Sequence, residues 1–506
     1  MDTPTLKEAL ARVHAAAQQY GGSIVSSRTL QRKDRELLVR AGWLIEIIRG
    51  WYMFTKPGLR PGESSSWYAN FWDFVAIYLQ QNYQNAYCLS AENSIDLHIA
   101  NPTIPKQVIA MTQKGGGTTA NLPFNTSILI YPEPQNFPTE QTEIRGIRAM
   151  SLPLALCRIT PSWFQLEPEN AEVALRLIKD PSILIHTIAK HGFCRAAERI
   201  IGAYRALQDL ETANAIANAL QHEGMQLQPV NPFKTPVYLF EPIQSAAEGR
   251  IRSLWNKFRL VVIEHFPPPP STLPDPQTYL ERIDELFVTD AYHSLSIEGY
   301  RVNLDLIQKI EQADWNPDLY SADANERDAL AARGYYEAFQ EVKKSISKIL
   351  DGQSPGTIIK ADLQGWFQKL FAPSVAAHLV RQYELTGYRK SQVYIRNSRY
   401  IPLAKDALLD AMQTYFDCLT HEPHPAVRAI LGHFIFVYIH PYMDGNGRLG
   451  RFIMNAMLAS GGYPRLLSKP HLPVKTKSFL PNFCIVISAT LVKSPRLRYP
   501  NLLRRF

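Results

Sequence analysis

IHPYMDGNGRLGRF, residues Ile439 to Phe452, gathers a histidine, an aspartate, an asparagine, glycines and two arginines into one short stretch. Leu431, Phe434, Ile435 and Tyr438 predict the apolar side of a helix that ends at His440, where Pro441 stops it. Asp444 to Gly447 reads as a turn, and Arg448 as the opening of a second helix carrying Ile453, Met457 and Leu458. Gly445, Asn446 and Gly447 then sit at a helix N-terminus, where outward N–H groups and the dipole favour anions. Glycines there let phosphate oxygens approach the backbone closely. Arg448 and Arg451, three apart, share a helix face, and a guanidinium fork suits phosphate. Asp444 is a hard oxygen ligand suited to Mg²⁺ held between phosphates. His440 is placed as a general base near neutral pH. An isolated DGNG turn would be an ordinary corner, but the whole set has the parts of a phosphoryl- or nucleotidyl-transfer site. His421, His424, His433 and His440 have no usual zinc spacing; His433 reads as a packed core residue.

The stretch resembles the signature of the Fic family, HPFx(D/E)GNGRxxR, with Tyr442 in place of phenylalanine. A ring there is expected to be buried, and its hydroxyl needs a partner. The resemblance runs over about 241–463 and implies transfer of AMP from ATP to a Ser, Thr or Tyr hydroxyl of a protein. It implies that His440 deprotonates the hydroxyl and that Asp444 holds Mg²⁺. The amides of Gly445–Gly447 would stabilise charge. Asn446 and Arg448 would hold the α- and β-phosphates, and Arg451 the γ-phosphate. GYRKSQVYIRNSRYIP, 387–402, alternates like a hairpin and resembles the family's flap, in which Gln392, Val393, Tyr394 and Ile395 would add a strand to a target segment. SLSIEG, Ser294 to Gly299, resembles the family's inhibitory motif (S/T)xxxE(G/N). Ser294 and Glu298 share a helix face, and Glu298 is expected to draw Arg451 away in a bidentate pair. Two rivals share this site: a regulator whose domain is silent, and AMP removal with Glu298 orienting a water. A kinase is disfavoured, since no Walker A or kinase loop set occurs; the GGG at 115–117 lacks the following Lys-Ser/Thr.

At the other end, residues 5–20 carry Leu6, Leu10, Val13 and Ala17 at helical spacing. GGSIVSSRTL comes next as a short extended piece with Ser26 or Ser27 as N-cap. Residues 28–41 set leucines among Arg28, Arg32, Lys33, Arg35 and Arg40, and WLIEIIRGWYMF alternates around an Arg49–Gly50 turn. Two helices, a basic helix and a hairpin are the order of a winged helix-turn-helix. Duplex DNA contacts are expected from Arg28, Arg32, Lys33, Arg35 and Arg49. GWLIEIIRGWYMF, with CLSAENSIDLHIANPTIPKQVIAMT (88–112) and IRGIRAMSLPLALC, resembles AbiEi-type antitoxins over about 1–225. In that family the winged helix represses transcription, so the resemblance implies DNA binding.

The expected fold class is therefore α+β and multidomain. A winged helix occupies 1–60, a mixed α/β middle domain 61–225, and an all-α Fic domain with a β-hairpin flap 226–463, its inhibitory helix near 283–299. Pro229, Pro232 and Pro236 mark a linker. The net charge of +8 hints at nucleic acid, but nine Lys/Arg and no acid lie between Pro464 and Phe506, which leaves −1 for residues 1–463. That basic tail points to a changed reading frame or a divergent end, with a nucleic-acid-binding tail as the alternative. Five scattered cysteines without CxxC suit a reducing cytosol. MDTPTLKEAL lacks a signal pattern, and no apolar run approaches the roughly 20 residues of a membrane helix. The expected partners are ATP with Mg²⁺, a protein hydroxyl (the chain's own included), duplex DNA and a second copy of the chain, with no membrane.

Overall fold

The computed structural model describes residues 5–55, 57–58, 63–312, 326–395 and 398–464; the basic tail beyond Pro464 lies outside these. The chain divides into two compact units: 1–250 together with Tyr394–Ile401, and 251–393 together with 402–506.

The first unit starts with α1 (Leu6–Ala17), β1 (Ile24–Ser26), α2 (Arg32–Arg40), β2 (Leu44–Ile48) and β3 (Trp51–Phe54). Thr5 and Glu8 form a reciprocal capping box that fixes the start of α1. The three strands pair in the order β1-β3-β2. The extended piece is β1, whose Ile24 and Val25 are fully buried and pair with Met53 and Tyr52, and Ser26 after them caps a one-turn helix at Ser27–Thr29. One set of sheet side chains, Val25, Leu44 and Tyr52, packs with Ala9, Val13, Ala17 and Leu38 of the helices. The other set, Ile24, Ile47, Trp51 and Met53, joins a core with Trp67, Phe71 and Phe74 of α3 (Ser65–Tyr83). Residues 1–60 therefore share their core with α3 and are not a unit by themselves.

β4 (Tyr87–Leu89), α4 (Ala91–His98), β5 (Gln107–Thr112), β6 (Thr118–Leu122) and β7 (Thr126–Pro132) come next. Their sheet has the order β4-β5-β7-β6, with β5 and β7 parallel. β8 (Gln141–Ile144) and β9 (Ile147–Met150) form a hairpin. Six helices complete this part of the chain: α5 (Leu152–Arg158), α6 (Pro161–Leu166), α7 (Pro168–Arg176), α8 (Pro181–His191), α9 (Cys194–Ala206) and α10 (Leu210–His222). α6, α7 and α8 open with proline, whose missing N–H costs nothing at that position. The Pro-rich segment after α10 is irregular, yet it is no linker. Phe233, Val237, Leu239 and Ile243 are buried in the helical core. Buried Arg176 donates to the carbonyls of Leu207, Leu239 and Phe240 and pairs with Asp209 at 2.7 Å.

The second unit is helical. α11 (Ala246–His265) contains the boundary; α12 (Pro276–Glu285), α13 (Phe287–Ile297), α14 (Leu304–Glu311), α15 (Glu326–Leu350), α16 (Pro355–Ala376), α17 (Leu408–His421), α18 (Pro425–Ile439) and α19 (Asn446–Ala459) lie beyond it. α16 runs unbroken to Ala376 with Pro373 in its last turn. Gly334 lets α15 approach α16 closely, since a Cβ there would overlap the Leu370 carbonyl. α18 is buried from Ala426 to Ile439 save Arg428, which marks it as a central helix rather than an amphipathic surface one. Among the described residues no helix is long and apolar enough to cross a membrane.

Residues 391–402 do not form the expected hairpin: among the described ones there is no ladder between the two halves. Tyr394–Ile401 belongs to the first unit, where Tyr400 bridges Thr103 and the Ile104 N–H donates to Arg399 O at 2.9 Å. Alternation announces a strand without naming its partner, and here the partner is a distant segment. Gln392 and Val393 fall in the second unit, where Gln392 Nε2 donates to Pro402 O at 2.6 Å. Tyr394 and Ile395 fall in the first, with Tyr394 Oη donating to Ala69 O at 3.4 Å.

Candidate active site

The site is the corner between α18 and α19. His440 caps α18 in the left-handed conformation, φ 56°, so its ring leaves the helix axis. Its Nδ1 lies 3.2 Å from Val437 O. A carbonyl can only accept, so Nδ1 carries the proton and the lone pair sits on Nε2, the tautomer a general base needs.

Four polar groups hold the turn. Gly445 is the N-cap of α19 at φ 82°, a conformation that glycine adopts without strain. The helix thus begins at Asn446, two residues earlier than Arg448. Asn446 Nδ2 donates to Tyr442 O at 2.8 Å, while Tyr442 N–H donates to Asn446 Oδ1 at 3.0 Å. This side chain, expected on phosphate, closes the loop through Oδ1 and one of its two amide hydrogens. Tyr442 stacks on Phe367 at 3.9 Å, and its hydroxyl donates to Gln364 Oε1 at 3.4 Å, the partner its burial requires. Burial pushes its hydroxyl pKa up.

Arg389 carries no signal in the sequence. It is buried, its N–H donates to Pro441 O and its Nε to His440 O, both at 2.9 Å, and its other nitrogens reach Ser391 O and Leu403 O. One guanidinium therefore ties the backbone of His440 to the two ends of the 391–403 loop. Its place in GYRKSQ has no telling spacing, because its partners are carbonyls and carbonyls leave no trace in sequence.

Arg448 and Arg451 lie almost wholly inside, 1% and 3% exposed. Arg448 Nη2 donates to Asp444 Oδ2 at 3.3 Å. Arg451 Nε donates to Ser294 Oγ at 2.8 Å, and Nη2 to Ser294 O at 3.1 Å and Glu298 Oε1 at 3.0 Å. The contact with Glu298 is thus through one nitrogen, and Ser294 supplies the rest of the grip; the expected bidentate pair is not formed. Glu298 caps α13, and Gly299 after it has φ +89°. The carboxylate also lies over Gly447, where any Cβ would overlap Oε1. Among the described residues, Arg448 Nε and Arg451 Nη1 are buried donors with no acceptor. Buried donors of two cations beside a helix N-terminus are what an oligophosphate would satisfy.

Asp444 has a side chain 58% exposed and accepts the Gly445 N–H at 2.6 Å. Among the described residues there is no cluster of three metal-ligating side chains. A lone exposed carboxylate beside a phosphate nest still fits Mg²⁺, which binds through one or two carboxylates plus substrate phosphates.

His433 is buried against Gly450, and burial together with the Arg451 charge pulls its pKa from 6.5 to about 3. The unfolded chain takes up this proton first, so the stability His433 confers is present above pH 6.5 and is lost as pH falls from there toward 3. Denaturant titrations at pH 6.5 and 5 should show the parent losing about 2 kcal/mol more than His433→Gln. Equal losses would mean that His433 is protonated in the fold.

In the first unit, Arg28 lies in the one-turn helix, Arg32 pairs with Glu36 at 2.7 Å and Arg35 covers the Tyr52 ring at 5.8 Å. Lys33 is exposed on α2, and Arg49 sits at the β2–β3 turn. Cys88, Cys157, Cys194 and Cys418 are free thiols.

Residues 366–458 match the Fic/DOC family. The protein adenylyltransferase Fic of Nematostella vectensis is 30% identical over 190 residues, 37% of this chain and 40% of that protein. That of Drosophila willistoni is 38% identical over 84 residues, 16% of each. The chain therefore spans less than half the length of these curated relatives. A solved structure, Fic-1 (aa134 - 508) from C. elegans, is 18% identical and covers 67% of this chain and 85% of that chain, with a TM-score of 0.32.

Proposed function

We propose that this chain, which carries a Fic/DOC domain at 366–458, is a protein adenylyltransferase held in check by its own Glu298. The observation that carries the reading is the pair of buried guanidiniums with unsatisfied donors beside the His440 corner. ATP lies with its phosphates against the N-terminus of α19. Arg448 and Arg451 bind oxygens of the chain, and the amides at Gly445–Gly447 receive charge as it develops. Nε2 of His440 takes the proton of a target Ser, Thr or Tyr. The hydroxyl oxygen bonds to the α-phosphorus, and the bond to the β-phosphate bridging oxygen breaks. The products are an AMP ester and pyrophosphate. Asp444 is the residue that would hold Mg²⁺, which supplies charge neutralisation on the phosphates when bound.

Labelling decides the reaction. Protein should take up ³²P from α-labelled and not from γ-labelled ATP. Label from γ-ATP would make it a kinase, and none from either with ATP bound would leave a silent domain. Loss of pre-attached AMP would favour the removal reaction.

Arg389→Met should lower the transfer rate about 100-fold with little change in KM for ATP. Freeing the His440 carbonyl lets the base drift, and a displacement of about 1 Å has that cost. A variant with parental kcat would show that the loop holds His440 without Arg389.

A further inference from the structure

The turn after α13 does two things at once. Gly299 N–H donates to Ser296 O at 3.0 Å and Tyr300 N–H to Leu295 O at 3.1 Å, the paired bonds of a Schellman motif. With Gly299 at φ +89°, the chain reverses direction just beyond Glu298. Glu298 reaches Arg451 on one side of this turn. Tyr300 reaches Arg448 on the other, its ring 5.2 Å from the guanidinium carbon. Phe371 of α16 covers Arg448 as well, also at 5.2 Å. Phe371 is itself fixed, against Phe367 at 5.3 Å and against Gly445, to whose Cβ position it comes within 3.1 Å.

The two contacts from the turn differ in kind. A carboxylate binds a guanidinium in its plane and competes there with phosphate. A ring binds it through the face and leaves the in-plane donors to an anion. Arg448 has one long bond to a largely exposed carboxylate, so the rings are the main restraint on a cation otherwise enclosed.

Building on the adenylyltransferase reading, we propose that Tyr300 is a positioning residue for ATP. Its ring holds Arg448 with the donors edge-on to the phosphates, so the turn that bears the brake also supports the substrate. Removing Glu298 frees the site, whereas removing the whole turn does not.

The test uses the full-length Glu298→Gly protein and adds Tyr300→Phe, Tyr300→Leu or Tyr300→Gln. Three quantities are read: Kd for a fluorescent ATP analogue, and KM and kcat for transfer from α-labelled ATP. Leucine should weaken analogue binding and raise KM about tenfold, with kcat within about threefold. Phenylalanine, which keeps the ring, should recover most of that loss. Glutamine replaces leucine if the leucine variant melts early. Parental Kd in Tyr300→Leu, equal losses in leucine and phenylalanine, or a fall in kcat alone would overturn the proposal. If Glu298→Gly transfers no AMP, the reaction reading fails, while analogue binding still decides the role of Tyr300.

Discussion

On the adenylyltransferase reading, Glu298→Gly should raise the initial rate of AMP transfer by the full-length chain about 100-fold, most visibly as self-modification. The argument starts at Arg451. Its Nη2 is held by Glu298 Oε1 at 3.0 Å and by Ser294 O at 3.1 Å; Arg451 is buried and the Glu298 side chain is 13% exposed. The phosphate end of ATP must therefore displace a carboxylate from a shielded cation and also approach Gly447, over which that carboxylate lies. With glycine at 298, only the neutral oxygens of Ser294 remain on Arg451, and a doubly charged phosphate outcompetes those. On this reading ATP would still enter the parent site with its phosphates turned, and about 1 Å of misplacement at the α-phosphorus would account for roughly 100-fold. Ser294→Ala alone should have a smaller effect, since it leaves the charge in place. A parental rate in Glu298→Gly, with His440→Ala still impaired, would remove the inhibitory role from Glu298 and keep the active-site assignment.

If His440 is the general base, His440→Ala in the Glu298→Gly background should lower transfer by a factor of about 100 to 10,000. Val437 O fixes the proton on Nδ1, so no other atom of the ring is set to accept the target's proton. Asparagine is the gentler companion substitution, because position 440 has φ 56° and asparagine tolerates the left-handed region. His440→Asn should lose as much as His440→Ala while binding the ATP analogue like the parent. Substantial transfer in both would mean that the hydroxyl loses its proton to solvent.

The corner was readable because its chemistry is local. His440, Asp444, Gly445, Arg448 and Arg451 lie within twelve residues, so spacing alone brings them together. Ser294 and Glu298 were readable by the same logic on α13. What escaped lies far off in sequence. Arg389 is 51 residues from His440, and no periodicity marks a guanidinium aimed at carbonyls. Tyr300 and Phe371 look like ordinary aromatic residues until Arg448 is seen next to them. The tie between Asn446 and Tyr442 leaves no mark in sequence, because an amide at a helix start serves a phosphate and a neighbouring backbone equally well. The Pro-rich stretch at 229–236 suggested a linker, since proline reports lost helix and says nothing about burial; Phe233 and Val237 settle that question. The loop at 391–402 alternates as a strand should, but the backbone of Arg399 and Ile401 bonds to Ile104 and Pro102.

Position 447 has a consequence for how such a sequence can drift. While Glu298 lies over it, there is no room for even a methyl group. Alanine arriving there first should push the carboxylate aside and switch the enzyme on, at whatever toxicity unchecked modification carries. Alanine arriving after Glu298 has gone meets no such obstacle from that side chain. The two sites are thus epistatic, and the tolerated order of substitution runs in one direction. A deep mutational scan in both backgrounds should find Gly447 least replaceable where the glutamate is present.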